Sequence, residues 1–230
     1  MTKFWRRIVG VVCVVAAGAA MPVSSAAAVA PPGSCPNGSD VAVVGDSLFA
    51  QSKPEVSWAL GATGYTLVAY DAQVGRQSTE VTNLFGSKVR SGVTAIRQAR
   101  GNADCWVIGL GTNDAGLAVD DGDVTLFAGR IDAVMTAVPR GTSVYWLDTY
   151  AAAGAQAFAA NPLAASHAVA WNAALNAAAD RWPQLTVVSF SRLVVTDGGV
   201  VDADGVHLTA SGRVSRARTV IDALSGVVIR

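Results

Sequence analysis

Val41-Ala42-Val43-Val44-Gly45-Asp46-Ser47-Leu48 is the stretch that decides the fold. Four apolar residues run without interruption into a glycine, an acid and a serine. A short, continuously apolar run closed by a turn reads as a strand buried on both faces, as in parallel sheets. In an open α/β sheet, ligands bind beyond the carboxyl ends of the strands. Ser47 is therefore delivered to the edge where chemistry usually sits. At the start of a following helix, its hydroxyl and backbone N–H would both face that edge. Asp46 and Ser47 are equally ordinary helix caps, so this stretch alone leaves both roles open.

Outward from it, similar runs recur at Thr66–Ala69, Trp106–Leu110, Ser143–Leu147 and Leu185–Phe190. Helical patterns lie between them. Ser78–Arg100 carries Val81, Leu84, Phe85, Val89, Val93 and Ile96 at spacings that approximate one helical face. Asp123–Val138 does the same with Leu126, Ile131, Val134 and Met135. Asn161-Pro162 predicts a helix start, Asn as cap and Pro in the first turn, for a helix running to about Arg181. Thr209 predicts the cap of a last helix ending near Leu224. The alternation predicts an α/β protein, a doubly wound three-layer sandwich. No internal repeat or second domain is needed.

The other strand ends also carry polar groups. Leu110-Gly111-Thr112-Asn113-Asp114 puts an amide where it can donate into the cleft, or simply makes an Asx turn. Asp71-Ala72-Gln73-Val74-Gly75-Arg76 offers a glycine that exposes its N–H, or a plain turn. Near the end, Asp204-Gly205-Val206-His207 places a carboxylate three residues before an imidazole, a spacing that can fix its tautomer. It also reads as a surface turn beside a packed histidine. His167 lies within a helical stretch and reads as structural.

Taken in order, Gly45-Asp46-Ser47, Gly75, Gly111-Thr112-Asn113-Asp114 and Asp204-Gly205-Val206-His207 resemble the blocks of the SGNH (GDSL-like) hydrolases. The resemblance spans Val41 to about Arg213. It implies a parallel five-stranded flavodoxin-like sheet in the order 2-1-3-4-5 and acyl-ester chemistry without a metal or organic cofactor. It implies Ser47 as nucleophile, His207 as base and Asp204 as its partner, with an oxyanion hole from Ser47, Gly75 and Asn113. Asp46 and Asp114 read as loop-stabilising carboxylates. Arg76 holds an anionic substrate group or pairs with a nearby acid. A metal site would want several clustered ligands, and none is expected with His207 the one available histidine.

Asp71-Ala72-Gln73-Val74-Gly75-Arg76-Gln77 and Asp204-Gly205-Val206-His207-Leu208-Thr209-Ala210-Ser211-Gly212 are also similar to the SGNH domains of bacterial cell-wall O-acetyltransferases. That points to acetyl esters. Those proteins usually carry a membrane acyltransferase domain ahead of the SGNH unit, which weakens a transferase reading here. The expected activity is a secreted serine esterase acting on a small-molecule or glycan ester. The alternatives are an O-acetyltransferase acting on cell-wall or other polysaccharide and a non-catalytic carbohydrate-binding module on the same fold.

Lys3, Arg6 and Arg7 precede an apolar stretch from Ile8 to Ala20 and small residues at Ser24–Ala28. This predicts a signal peptide over 1–28, an N-terminal tail over 29–39 and the hydrolase domain over 40–230. The product is expected outside the cytoplasm, secreted or associated with the cell wall or periplasm, with no stable membrane insertion once the signal is removed. The 230-residue chain has 17 basic and 17 acidic residues. Losing the signal leaves about −3, with no basic stripe to suggest nucleic acid. A monomer is expected. Cys35 and Cys105 each lie just upstream of a strand candidate. If those strands are neighbours, the two meet at one sheet edge, and export permits a disulfide. The alternative is two buried free thiols.

Overall fold

The computed structural model describes residues 35–99 and 102–227. The expected signal segment and residues 29–34 of the expected tail lie outside these described residues. In chain order the strands are β1 (Asp40–Gly45), β2 (Thr66–Ala72), β3 (Thr82–Leu84), β4 (Ser87–Val89), β5 (Cys105–Gly109), β6 (Ser143–Leu147) and β7 (Leu185–Val188). The helices are α1 (Ser47–Gln51), α2 (Lys53–Ala62), α3 (Gly92–Gln98), α4 (Thr112–Gly116), α5 (Asp121–Thr125), α6 (Phe127–Ala137), α7 (Ala164–Ala179), α8 (Phe190–Thr196) and α9 (Ala210–Leu224).

Five strands form one parallel sheet in the order β2-β1-β5-β6-β7. Counting those five alone, the order is the expected 2-1-3-4-5. Burial follows position: β5 and β6 are buried throughout and β1 in all but its first residue, whereas the edge strand β2 is half-buried along most of its length. That is the pattern of a sheet covered on both faces. β1 sends the chain one way to β2 and β2 sends it back to β5. Right-handed crossovers then put the intervening helices on opposite faces. Accordingly α2 packs with α9, while α3, α6 and α7 pack in series.

Three helical expectations change. Ser78–Arg100 is not one helix: it is a loop, the antiparallel β3–β4 hairpin and the short α3. The chain cannot continue helically through Phe85 and Gly86, which both have positive φ. Val81 and Phe85, which seemed to line a buried stripe, face solvent. The second expected helix is broken at Leu126 into α5 and α6, with the Asp120 carboxylate capping α5 by accepting the Asp123 N–H. The third starts at Ala164 rather than Pro162. Asn161 accepts from the Leu163 N–H in a turn ahead of it. Its amide donates to the carbonyls of Ala115, Gly116 and Ala118. Thr209 caps α9 through the Gly212 N–H, and that helix ends at Leu224.

Register fixes the carboxyl edge of the sheet. Gly45 pairs with Ala72 on one side and Gly109 on the other. The chains beyond these three residues therefore leave the sheet side by side. Asp46 N–H donates to the Gly109 carbonyl and Gln73 N–H to the Gly45 carbonyl, both at 3.1 Å. The opposite edge carries the Cys35–Cys105 disulfide, with Cα atoms 6.0 Å apart. The tail residues just ahead of β1 are thus tied to the start of β5.

At the β5 exit lie two buried indoles, Trp146, whose Nε1 donates to the Leu110 carbonyl, and Trp171, with ring centres 6.3 Å apart. Phe127 meets Trp171 edge-on at 5.2 Å between centroids. Gly111 has φ +122°, and a Cβ there would sit 2.2 Å from Nε1 of Trp171. Only glycine lets the chain turn over the indole and bring Asn113 to the edge.

Candidate active site

Ser47 is the first residue of α1 and is almost wholly buried. Asp46 caps the helix, its Oδ1 accepting the Leu48 N–H at 3.0 Å. The Ser47 N–H, in the first turn, has no helical carbonyl to receive it.

The partner comes from the turn before α9. Val201 and Leu208 form an antiparallel bridge, and the Asp202 N–H donates to the His207 carbonyl at 2.7 Å. Inside this turn the Asp204 Oδ1 accepts the N–H groups of Val206 and His207, each at 2.9 Å. Its Oδ2 lies 2.5 Å from Nδ1 of His207. Nε2 of His207 lies 3.2 Å from Oγ of Ser47. A carboxylate only accepts, so Nδ1 carries the proton and Nε2 presents its lone pair to the serine hydroxyl. Burial acts to raise the Asp204 carboxyl, but the bonds from Val206 N–H, the His207 ring and His207 N–H outweigh it and hold the group below its ordinary value. The acid therefore stays ionised beside the imidazole. Leu208 N–H donates to Oε1 of Gln51, tying this turn back to α1.

The other two expected site residues sit in interlocked loops. Gly75, with φ +74°, makes the turn beyond β2. Asn113 lies in α4, and its amide donates to the Arg76 carbonyl at 3.1 Å. Arg76 in turn donates through Nη1 to the Gly45 carbonyl at 3.1 Å. The Gly75 turn, the Asn113 helix and the strand end before Ser47 thus hold one another.

Arg76 itself is corrected. The sequence allows it a substrate contact, but its side chain is fully buried and paired with Asp71 at 2.7 Å. Its remaining donors go to the carbonyls of Asp71 and Arg90 and to Gln73 Oε1. With its donors committed inside the protein, it braces the loop and has nothing to offer an anion.

The two loop carboxylates are buried. Asp114 accepts both the N–H and the hydroxyl of Ser78 and stands 3.4 Å from Arg130. Burial pushes its carboxyl up to about 6 against the pull of those hydrogen bonds and of Arg130. Burial likewise raises Asp46, while the Arg216 charge pulls it back.

Arg216 is the group the sequence reading missed. It is fully buried, its guanidinium stacked 4.2 Å from the Phe49 ring centre and 4.8 Å from that of Phe190. Its charge faces Asp46, Tyr70 and Asp148. A Cβ on Gly109 would lie 2.6 Å from its Nη2, so the guanidinium sits directly under the strand that neighbours Ser47. The available signal was its place in the series Gly212, Arg216, Val220, Leu224, which runs along the inward stripe of α9 at four-residue steps. His167 is buried, as a structural residue would be.

A groove of about 430 Å³ between α2 and α9, lined by Trp58 and Val214, includes neither Ser47 nor His207. Another of about 390 Å³ runs from Gly116 at the end of α4 to Phe158 and Leu163.

No family model matches the chain, and neither does any curated protein sequence. Solved structures do. The C-terminal catalytic domain of peptidoglycan O-acetyltransferase A from Streptococcus pneumoniae is 15% identical, with 84% of this chain covering 96% of that one at a TM-score of 0.62. A lipase/acylhydrolase from Enterococcus faecalis is also 15% identical, over 82% of this chain and 96% of that one, at 0.65. A carbohydrate acetylesterase from Sinorhizobium meliloti is 16% identical, over 83% of this chain and all of the other, at 0.57. At such identities the likeness is one of fold, a fold shared also with a GDSL-like lipase from Bacteroides thetaiotaomicron and an SGNH hydrolase from Slackia heliotrinireducens.

Proposed function

We propose that this protein is an exported serine esterase that cleaves short acyl esters, acetyl foremost, through an acyl-serine. The observation that carries the reading is the unbroken chain from Ser47 Oγ through His207 to Asp204, at 3.2 and 2.5 Å, on the carboxyl edge of the sheet. Ser47 attacks the ester carbonyl while Nε2 of His207 takes its proton. Asp204 holds the imidazole and stabilises the charge that develops on it. The N–H groups of Ser47 and Gly75 and the Asn113 amide receive the oxyanion. Such preorganised donors are each worth about 3–4 kcal/mol in the transition state. His207 returns the proton to the leaving alcohol, and water then releases the acyl group.

Acetyl as the acyl group and a glycan as the alcohol are supported by the Gly75 and His207 blocks and by the fold shared with a carbohydrate acetylesterase. Export is supported by the sequence of residues 1–28 and by the disulfide. Among the described residues no helix is long and apolar enough to cross a membrane. Transfer of acetyl to a sugar hydroxyl is the second reading, favoured by the likeness to a peptidoglycan O-acetyltransferase domain. It uses the same acyl-serine and differs only in the hydroxyl that releases it. A carbohydrate-binding module without catalysis has no use for an aligned Ser–His–Asp chain.

A fluorophosphonate probe tests the central claim: it labels an activated Ser47 and leaves an unactivated one alone. A panel of p-nitrophenyl esters from C2 to C12, set against acetylated glycans, ranks the acyl groups. Adding a sugar acceptor and measuring acetyl diverted from water separates transfer from hydrolysis.

A further inference from the structure

The β3–β4 hairpin carries a residue that the ester chemistry does not use. Leu84 pairs with Ser87, so Phe85 and Gly86 alone make the turn. Their φ values are +49° and +79°. Two positive φ values in a two-residue hairpin turn define the type that favours Asn-Gly or Asp-Gly. A bulky aromatic in the left-handed region is an outlier for any turn. Phe85 is also 97% exposed. It is therefore disfavoured by both backbone and solvent, and packing offers nothing in return.

Its position gives the reason. Oγ1 of Thr82 donates to the Gly75 carbonyl at 2.9 Å. Leu84 lies against Gly75, with Cδ2 3.0 Å from where a Cβ would stand. The tip, one residue beyond Leu84, is held beside the turn that offers the Gly75 N–H to the substrate. Residues held in such strained backbone conformations cluster at active sites and ligand clamps.

We propose that this hairpin is a recognition arm of the site and that Phe85 is the platform for a sugar ring of the ester's alcohol. The inference rests on the esterase reading above and extends it to the substrate. A pyranose offers one apolar C–H face edged with hydroxyls. Its natural seat is a single aromatic plane with polar groups at its border. Polar groups stand on the same hairpin: the cross-strand pair Asn83 and Lys88, one rung below the Leu84–Ser87 pair, is exposed, an amide and an ammonium. An acyl chain would call for a continuous apolar trough instead. A two-residue turn braced on Gly75 also holds the ring at small entropic cost on binding.

The test is calorimetric titration of the full-length Ser47→Ala protein with chitopentaose and xylopentaose. Binding to at least one is expected, weakened tenfold or more by a second change, Phe85→Asn, and retained by Phe85→Tyr. Phe85→Asn suits the turn and should raise the melting temperature, so lost binding would not reflect lost folding. Val169→Asn, at an exposed position on α7, should change nothing. Binding to neither glycan, or equal binding with and without Phe85→Asn, overturns the proposal. So does a Phe85→Asn defect in binding phosphatidylcholine vesicles with glycan binding intact, which would make the tip a lipid contact. If the probe fails to label Ser47, the esterase reading falls, and the titration still decides the arm.

Discussion

The Asn113 amide donates to the Arg76 carbonyl at 3.1 Å, so the two loops that would cradle an oxyanion are fastened to each other before substrate arrives. Asn113→Ala should lower kcat by about 10²–10³ with a smaller change in KM, because the bond to the oxyanion strengthens in the transition state. Measuring both constants on p-nitrophenyl acetate checks this. A change confined to KM would make Asn113 a ground-state contact. The Arg76 link adds a second expectation: the variant should also lose some thermal stability.

Ser47→Ala and His207→Ala should each reduce turnover by roughly 10⁴-fold or more. The double variant should be little worse, since the pair acts as one unit. Circular dichroism shows whether the variants fold. Near-normal hydrolysis by folded Ser47→Ala protein would remove Ser47 from the mechanism.

Much of this site is legible in sequence because it hangs on the ends of buried strands. The nearly continuous apolar runs of β1, β5 and β6 read as strands buried on both faces, and the residues that follow them inherit the carboxyl edge. Ser47 follows β1 and Asn113 follows β5, Gly75 lies beyond β2, and the turn before α9 brings Asp204 and His207 to Ser47. The β3–β4 hairpin was illegible for a physical reason. Its turn uses Phe85 where local propensity would put Asn, so the usual hairpin signal is missing. Val81 and Phe85 then mimic a helical stripe while facing solvent. Arg216 was passed over because a guanidinium seldom lies wholly inside a core. Its cost is offset by two aromatic faces and the carboxylates it faces.

The disulfide should matter for stability and not for catalysis. Cys35 and Cys105 are 70 residues apart in sequence, and chain entropy gives a loop of that size roughly 4 kcal/mol as an upper figure. Cys105 pairs with Val41, whereas Gly109 pairs with Gly45, two residues before Ser47. Four residues of strand, about 13 Å, separate the bridge from the reactive edge. Reduction should lower the melting temperature and leave kcat at room temperature nearly intact. Mass spectrometry of non-reduced peptides tests the pairing, and two alkylatable thiols in freshly exported, folded protein would rule it out.

The last expectation concerns pH. Asp114 binds its proton more tightly when folded, at about 6 against an ordinary 3.8, chiefly because it is buried. A raised carboxyl favours the folded state only while protonated. Its contribution is complete below pH 4 and is lost as pH rises through about 6. The full difference is worth ~3 kcal/mol. Asp204 and Asp132 are shifted the other way, so their contributions are present above about pH 4 and fade as the pH falls below it. Asp46 and Asp148 share the sign of Asp114, so the wild-type curve alone cannot isolate it. The comparison with Asp114→Asn can. Asparagine keeps an oxygen to accept from Ser78 but has no proton to lose. Between pH 4 and 6.5 the wild type should lose stability relative to the variant. Parallel urea curves for the two proteins across that range would show that burial does not raise Asp114, and that the Ser78 and Arg130 contacts hold it ionised throughout.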